Sequence, residues 1–274
     1  MAGKKRTLPR IAGLTGGSPD TKGDPSGALG ATIAIYSVKG GVGKTTFASN
    51  LAWCSAQISG HRTLLWDLDA AGGSGFLYGL EPKGTKPAHD VFAKERAPEK
   101  LIQKTGYSRI HLLPADESIR AIDARLTEIG KRRRLAKLTR ALGADYARVI
   151  LDCPPVINEL SAQIVRAADL VIVPLPPSPL STRAFDLVVR EIAGNTRRHP
   201  PILPVLSMLD MRRTLHREVR EQHPGWPAVP YASALEQCAV QHRPVGEIAP
   251  GSPAARAFAN LWGAIERKLA ERRG

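Results

Sequence analysis

From residue 31 onward the chain alternates short apolar runs, rich in β-branched residues, with longer segments whose apolar positions recur at helical spacing. That alternation belongs to α/β proteins with a mostly parallel sheet, because a strand covered on both faces reads as a continuous apolar run. Strands are expected at Ile33–Val38, Arg62–Asp69, Ile110–Pro114, Val149–Asp152, Leu170–Pro174 and Ile202–Leu206. Helices are expected from Lys44 to about Ser59, where Gly60 stops the first, and then over 116–126, 131–142, Ser181–Ala193, Thr214–Gln222, Ser233–Val240 and Pro253–Arg273. Shorter helices are expected near His89–Ala93 and Pro98–Lys104, and the Gly- and Lys-rich stretch Ala70–Pro87 reads as a long loop. In the 131–142 segment Leu135, Leu138 and Leu142 share one face, while Arg133, Lys137 and Arg140 lie on another.

Chemistry enters at the first strand. The run Ile33-Ala34-Ile35-Tyr36-Ser37-Val38 feeds Lys39-Gly40-Gly41-Val42-Gly43-Lys44-Thr45-Thr46 and then a helix. A strand, a Gly-rich turn and a helix N-terminus form the context of a phosphate loop. Glycines let backbone N–H groups close around phosphate oxygens, and the helix dipole adds positive charge there. Lys44 would reach the β- and γ-phosphates, and the Thr45 hydroxyl would ligate Mg²⁺. The spacing departs from G-x-x-x-x-G-K-[ST]: the first Gly would fall at Val38, and Lys39 is extra. Two further strands end in carboxylates, Asp67 with Asp69 and then Asp152 before Cys153-Pro154-Pro155. Carboxyl ends of parallel strands are where open α/β sheets place their ligands, so these acids should point toward the phosphate loop. An acid at a strand tip is what a Walker B element needs to hold a water on Mg²⁺.

The variant loop, Asp67-x-Asp69 and Asp152-Cys153-Pro154-Pro155, in this order, resemble the ParA/MinD superfamily of deviant Walker A P-loop ATPases, and ParA-type partition ATPases in particular. The resemblance covers nearly everything from residue 31, including Arg212-Arg213-Thr214-Leu215 and the Leu235-Glu236 and Arg243-Pro244 stretch. It implies a three-layer P-loop NTPase fold, a mostly parallel twisted sheet with helices on both faces. It also implies ATP and Mg²⁺ as cofactors and an ATP-dependent homodimer that hydrolyses ATP. By this resemblance Lys39 crosses the dimer interface to the partner's phosphates, and Asp69 positions the attacking water. Gly40 to Thr46 (Gly40, Gly41, Val42, Gly43, Lys44, Thr45, Thr46) cradle the nucleotide, with Asp210 and Pro230 at the adenine. Asp67 and Asp152 serve Mg²⁺ through waters. Two departures stand out. The family's D-x-D-P-Q-G is here Asp69-Ala70-Ala71-Gly72, without the Pro and Gln. Its P-R-N-V-R-L segment, whose arginines favour DNA, is here Pro230-Tyr231-Ala232-Ser233-Ala234-Leu235. Candidates for DNA contact are therefore sought elsewhere, at Arg212, Arg213, Arg217, Arg220 and Arg243.

Bulk composition narrows the partners. The 274 residues allow one full α/β domain, and a net charge of +14 attracts polyanions, whether nucleic acid or an anionic membrane. No apolar run reaches membrane-spanning length, and the first thirty residues lack a secretory apolar segment. Residues 1–30 combine Lys4, Lys5, Arg6 and Arg10 with few large apolar side chains, so a disordered basic tail is expected before a domain at 31–274. That composition fits both a DNA-binding arm and an inert leader. Cys54, Cys153 and Cys238 are widely spaced thiols, which suits a cytoplasmic protein, nucleoid-associated if it binds DNA as the resemblance implies, and argues against an iron–sulfur carrier of the same superfamily. The reading is an ATPase that dimerises with ATP and binds DNA non-specifically, segregating or positioning a cargo. An adaptor or centromere-binding protein would stimulate it. The alternative is a MinD-like ATPase cycling on a membrane, for which Phe258, Leu261, Trp262, Ile265 and Leu269 would supply an amphipathic helix.

Overall fold

The computed structural model describes residues 30–273 apart from 82–90, 92–97, 99–100, 123–125, 127–132 and 196–198. All but the last residue of the basic tail expected at 1–30, and most of the short helix expected near His89–Ala93, lie outside the described residues. Among those described, eight strands form one sheet in the order β3-β4-β2-β5-β1-β6-β7-β8. They are β1 (Ala31–Ile35), β2 (Thr63–Asp67), β3 (Gln103–Lys104), β4 (Ile110–Leu113), β5 (Arg148–Asp152), β6 (Leu170–Leu175), β7 (Ile202–Leu209) and β8 (Ala228–Pro230). Every neighbouring pair is parallel except β3 with β4. The helices are α1 (Lys44–Ile58), α2 (Gly73–Leu77), α3 (Arg134–Leu142), α4 (Glu159–Ala167), α5 (Pro179–Asn195), α6 (Thr214–Gln222), α7 (Ser233–Gln241), α8 (Val245–Ile248) and α9 (Pro253–Arg273).

Strand alternation divides the core into two layers. Ile33 and Ile35 of β1 join Ile150 and Leu65 on one face, covered by α1 and α9 through Phe47, Leu51, Phe258 and Trp262. Ala34, Leu64, Trp66, Val149 and Leu151 face the other way, against α3, α4 and α5 through Leu135, Ile164 and Val188. Helices on both faces of a parallel sheet make the three-layer α/β fold. On α9, Phe258, Leu261, Trp262, Ile265 and Leu269 are all buried in the core, so the apolar face that a membrane helix would need is already covered.

Three local expectations are corrected. Ala70–Pro87 is not loop throughout, since it contains α2. Ser74 there is tied to both neighbouring strand ends, which stabilises a turn of helix that composition alone does not favour. The helix expected at Pro98–Lys104 is overturned at its end, where Gln103 and Lys104 pair antiparallel with β4. The Thr105 hydroxyl donates to Ile110 O at 2.7 Å and locks that hairpin turn. In 116–126 the first part, Glu117–Ala121, is a 3₁₀ turn capped by the Asp116 side chain in place of α-helix, whereas Ile122 and Leu126 are α-helical and 123–125 lie outside the described residues. Helix α4 and strand β8 were not anticipated as elements.

Candidate nucleotide site

The site assembles at the carboxyl ends of β1, β2 and β5. After β1 the chain turns through Gly41 (φ 70°) and Gly43 (φ 94°), left-handed conformations that glycine reaches without strain. A Cβ added at Gly40 or Gly41 would meet nothing within 4 Å, so open space lies directly over the loop backbone. Helix α1 then begins with no side-chain cap and no acid in its first turn, leaving its N–H groups and dipole uncompensated. These are the conditions for holding an anion.

Lys44 is buried at 7% exposure and its Nζ donates to Lys39 O at 3.2 Å. Burial lowers its pKa, partly opposed by Asp152, Cys153 and Asp69. A desolvated ammonium beside open space is completed by phosphate oxygens. Lys39 points elsewhere: its Nζ donates to Ser181 Oγ, 3.3 Å away at the start of α5.

Parallel pairing sets Asp67 directly beside Asp152, and both are fully buried. Asp67 Oδ1 accepts Asp69 N–H at 3.0 Å and its Oδ2 accepts Ser74 N–H at 2.9 Å. Ser74 Oγ donates to Asp152 Oδ2 at 2.9 Å, while Asp152 Oδ1 is buried with no well-formed hydrogen bond. Burial raises the pKa of both acids, Asp152 to about 6 even with the Thr45 and Ser74 hydroxyls beside it, and Asp67 further through the neighbouring Asp152. Two desolvated carboxylates, one oxygen left over and the Thr45 hydroxyl alongside form a hard-oxygen donor set that suits Mg²⁺. Asp69 lies two residues past β2, half-buried, its Oδ1 accepting Ala71 N–H at 3.1 Å.

Pro230 lines a 240 Å³ cavity with Val42, Gly43, Thr46, Ser207 and Met208. The Ser207 hydroxyl is buried without a partner, and Met208 takes a left-handed φ of 53° where the β7–β8 register shifts. An apolar slot beside the phosphate loop with one unpaired hydroxyl fits a purine base. Asp210 is not among the residues lining it; it forms a bidentate pair with Arg212, at 2.9 Å on each oxygen, and its N–H donates to His216 Nδ1. Sequence reasoning missed Ser74, Ser207 and Met208. Serine and methionine carry no distinctive spacing, and only the fold brings them to the strand ends.

The basic candidates are scattered. Arg212 is held by Asp210, Arg243 by Glu247, and Arg220 by the carbonyls of His223 and Trp226. Arg217 donates to Met211 O and Arg212 O. Arg213 is exposed with no side-chain partner among the described residues.

Comparison with known proteins gives this geometry a lineage. A family profile described as an AAA domain matches residues 30–200. The chromosome partitioning protein ParA of Myxococcus xanthus is 30% identical over 207 residues, 72% of this chain and 72% of that protein. ParA of Caulobacter vibrioides is 33% identical over 196 residues, 68% of this chain and 73% of that one. Among solved structures, cobyrinic acid a,c-diamide synthase from Mycobacterium smegmatis, with bound ATP analog and magnesium, aligns at a TM-score of 0.74 and 26% identity, covering 87% of this chain and 95% of that one. With its two-lysine phosphate loop and paired strand-tip acids, the chain belongs to the ParA/MinD superfamily of P-loop ATPases and is of the ParA type.

Proposed function

We propose that this protein binds ATP with Mg²⁺, dimerises in that state, and as a dimer holds DNA without regard to sequence. It thereby segregates or positions a cargo, a plasmid, chromosome region or protein assembly, until hydrolysis resets it. The observation that carries the reading is the opposite disposition of the two lysines in one loop. Lys44 is buried over its own loop, whereas Lys39 is turned out to Ser181 and is not committed to its own phosphate cradle. A cation held outside its own site is available to a nucleotide bound by a second copy, and makes turnover depend on assembly.

Within that reading, bound Mg²⁺ neutralises the β- and γ-phosphate charge. Lys44 and the α1 N-terminus would bind the phosphates, and Thr45, Asp67 and Asp152 would hold the metal. Asp69, solvent-reachable beside the loop, orients the attacking water. Phosphoryl transfer needs this positioning and charge neutralisation rather than covalent help. An adaptor or centromere-binding protein would stimulate the step.

The test is Lys39→Ala, followed by light scattering with Mg-ATP and by ATP turnover. The variant should bind ATP as a monomer but lose most of the ATP-dependent dimer and its hydrolysis. Unchanged dimer and unchanged turnover would refute the trans role. A membrane-cycling ATPase is the less favoured reading, because the apolar face of α9 is spent on the core.

A further inference from the structure

The end of the sheet remote from the nucleotide site holds a cavity of about 450 Å³ on which three helices converge arginines: Arg140 from α3, Arg166 from α4 and Arg272 from α9. Its floor is Gly30 and Thr32 at the start of β1, with Ala136, Thr139 and Ala167 along the walls. These small residues leave room for a polymer backbone to approach. Strand β1 separates this cavity from the phosphate loop by about 16 Å, at roughly 3.3 Å per residue. The two cannot share one small ligand.

The lining carries three arginines against one acid, and that acid is already occupied. Asp169 Oδ2 accepts Thr32 N–H at 2.9 Å, and its Oδ1 faces Arg272 at 3.4 Å. Arg166 reaches Glu159 at 3.3 Å. Arg140 is exposed and has no partner among the described residues. Lys137 one turn earlier and Arg133 two turns earlier are likewise exposed and unpaired. The opposite face of α3, Leu135, Leu138 and Leu142, is buried, so the three cations are held in a row at fixed spacing. Helix α3 contains no acid, whereas α6 carries Glu218 and Glu221 among its arginines.

We infer that this row and the arginine cavity it leads into form a docking surface for the phosphodiester backbone of DNA. The inference rests on the DNA-binding reading above and moves the contact from the arginines in and just before α6 to the end of the sheet remote from the nucleotide site. Seven residues of helix span about 10 Å, which matches about three phosphates of one strand at about 3.4 Å axial rise each. A single small anion would engage only one or two of these cations. An extended phosphate chain uses them all, and contacts made to phosphates carry no sequence information, which makes the contact indifferent to sequence.

The experiment uses the full chain with Mg²⁺ and a non-hydrolysable ATP analogue, and a fluorescent DNA duplex of random sequence read by anisotropy across a salt series. Two variants lose equal charge: Arg133→Ala/Lys137→Ala/Arg140→Ala, and Arg212→Ala/Arg213→Ala/Arg217→Ala. The first should weaken DNA binding about tenfold or more and flatten the log K against log salt slope by about two to three, at roughly 0.9 per lost phosphate contact. The second should cost about threefold or less. Affinity for a fluorescent ATP analogue and the melting temperature should be unchanged in both. All three α3 residues are exposed, and Arg140→Ala alone gives a milder version should the triple variant misfold. If the wild type binds DNA and the α3 variant loses no more than the α6 variant, this surface is refuted while the DNA reading survives. No DNA binding by the wild type overturns both. Loss of inorganic pyrophosphate binding with wild-type DNA affinity in the α3 variant would make the cavity a small-anion site and also overturn the proposal.

Discussion

Replacing Lys44 by Met removes one charge at nearly constant volume from the centre of the phosphate loop. The ammonium is 7% exposed, and its one hydrogen bond in the free protein is to Lys39 O. Truncating one member of a buried, hydrogen-bonded charge pair costs about 2–5 kcal/mol. At about 1.4 kcal/mol per decade, nucleotide affinity should fall roughly 30- to 4,000-fold. A second consequence follows from the direction of the lysine's pKa. Burial lowers it in the free protein, and phosphate oxygens stabilise the charged form. Wild-type affinity is therefore full where Lys44 is protonated in both states, and falls as pH rises through the lowered value. Lys44→Met should lack that alkaline decline. Calorimetric titration with ADP and Mg²⁺ at neutral and alkaline pH measures both effects, and melting without nucleotide separates a lost contact from a folding defect. A variant that folds and binds within about threefold of wild type would refute the assignment of the loop.

Asp69→Ala should slow turnover by about 10²-fold or more, the usual scale for a group acting on the attacking water. It should leave ATP affinity intact, and wild-type turnover would place that role on another residue. Ser74→Ala strips the hydrogen bond from Asp152 Oδ2 and leaves a buried acceptor unsatisfied, at about 1–3 kcal/mol. More Mg²⁺ should then be needed for half-maximal hydrolysis, and an unchanged Mg²⁺ titration contradicts the bridging role. Glu266 is held at about 2 from an ordinary 4.5: burial alone would raise it, but hydrogen bonds from His61 and Arg148 prevail. Because its folded value is depressed, the stabilisation is complete above 4.5 and lost as pH falls toward 2. Glu266→Gln should cost roughly 3 kcal/mol at neutral pH, or about 6–12 °C of melting temperature. That gap should shrink in acid, and a gap of constant size down to pH about 3 would refute the linkage.

Much of this protein is legible in its linear chain, for reasons of range. The α/β order, the phosphate loop and the strand-tip acids depend on residues within a few positions of one another. Apolar runs for strands covered on both faces, glycines at left-handed turns and an acid closing a strand are local necessities. Helices α6 and α9 match expectation to the residue, because their apolar spacing and flanking Pro or Thr are local too. The tertiary structure decided what depends on separations of tens to hundreds of residues. Pairing of β2 with β5 set Asp67 beside Asp152 in one desolvated corner, where burial raises both their pKa values and Ser74, 78 positions from Asp152, bridges the two. Asp210, expected at the adenine by resemblance, pairs with Arg212 two residues on and is not among the residues lining the cavity, which Ser207 and Met208 do line. Charge behaved likewise. The excess of cations was countable from composition, but which of them are free was not: Arg217, Arg220 and Arg243 are engaged by carbonyls or a carboxylate, and Arg133, Lys137 and Arg140 have no partner among the described residues. An ion pair is decided by which side chains the fold brings within a few ångströms, and spacing along the chain does not encode that distance.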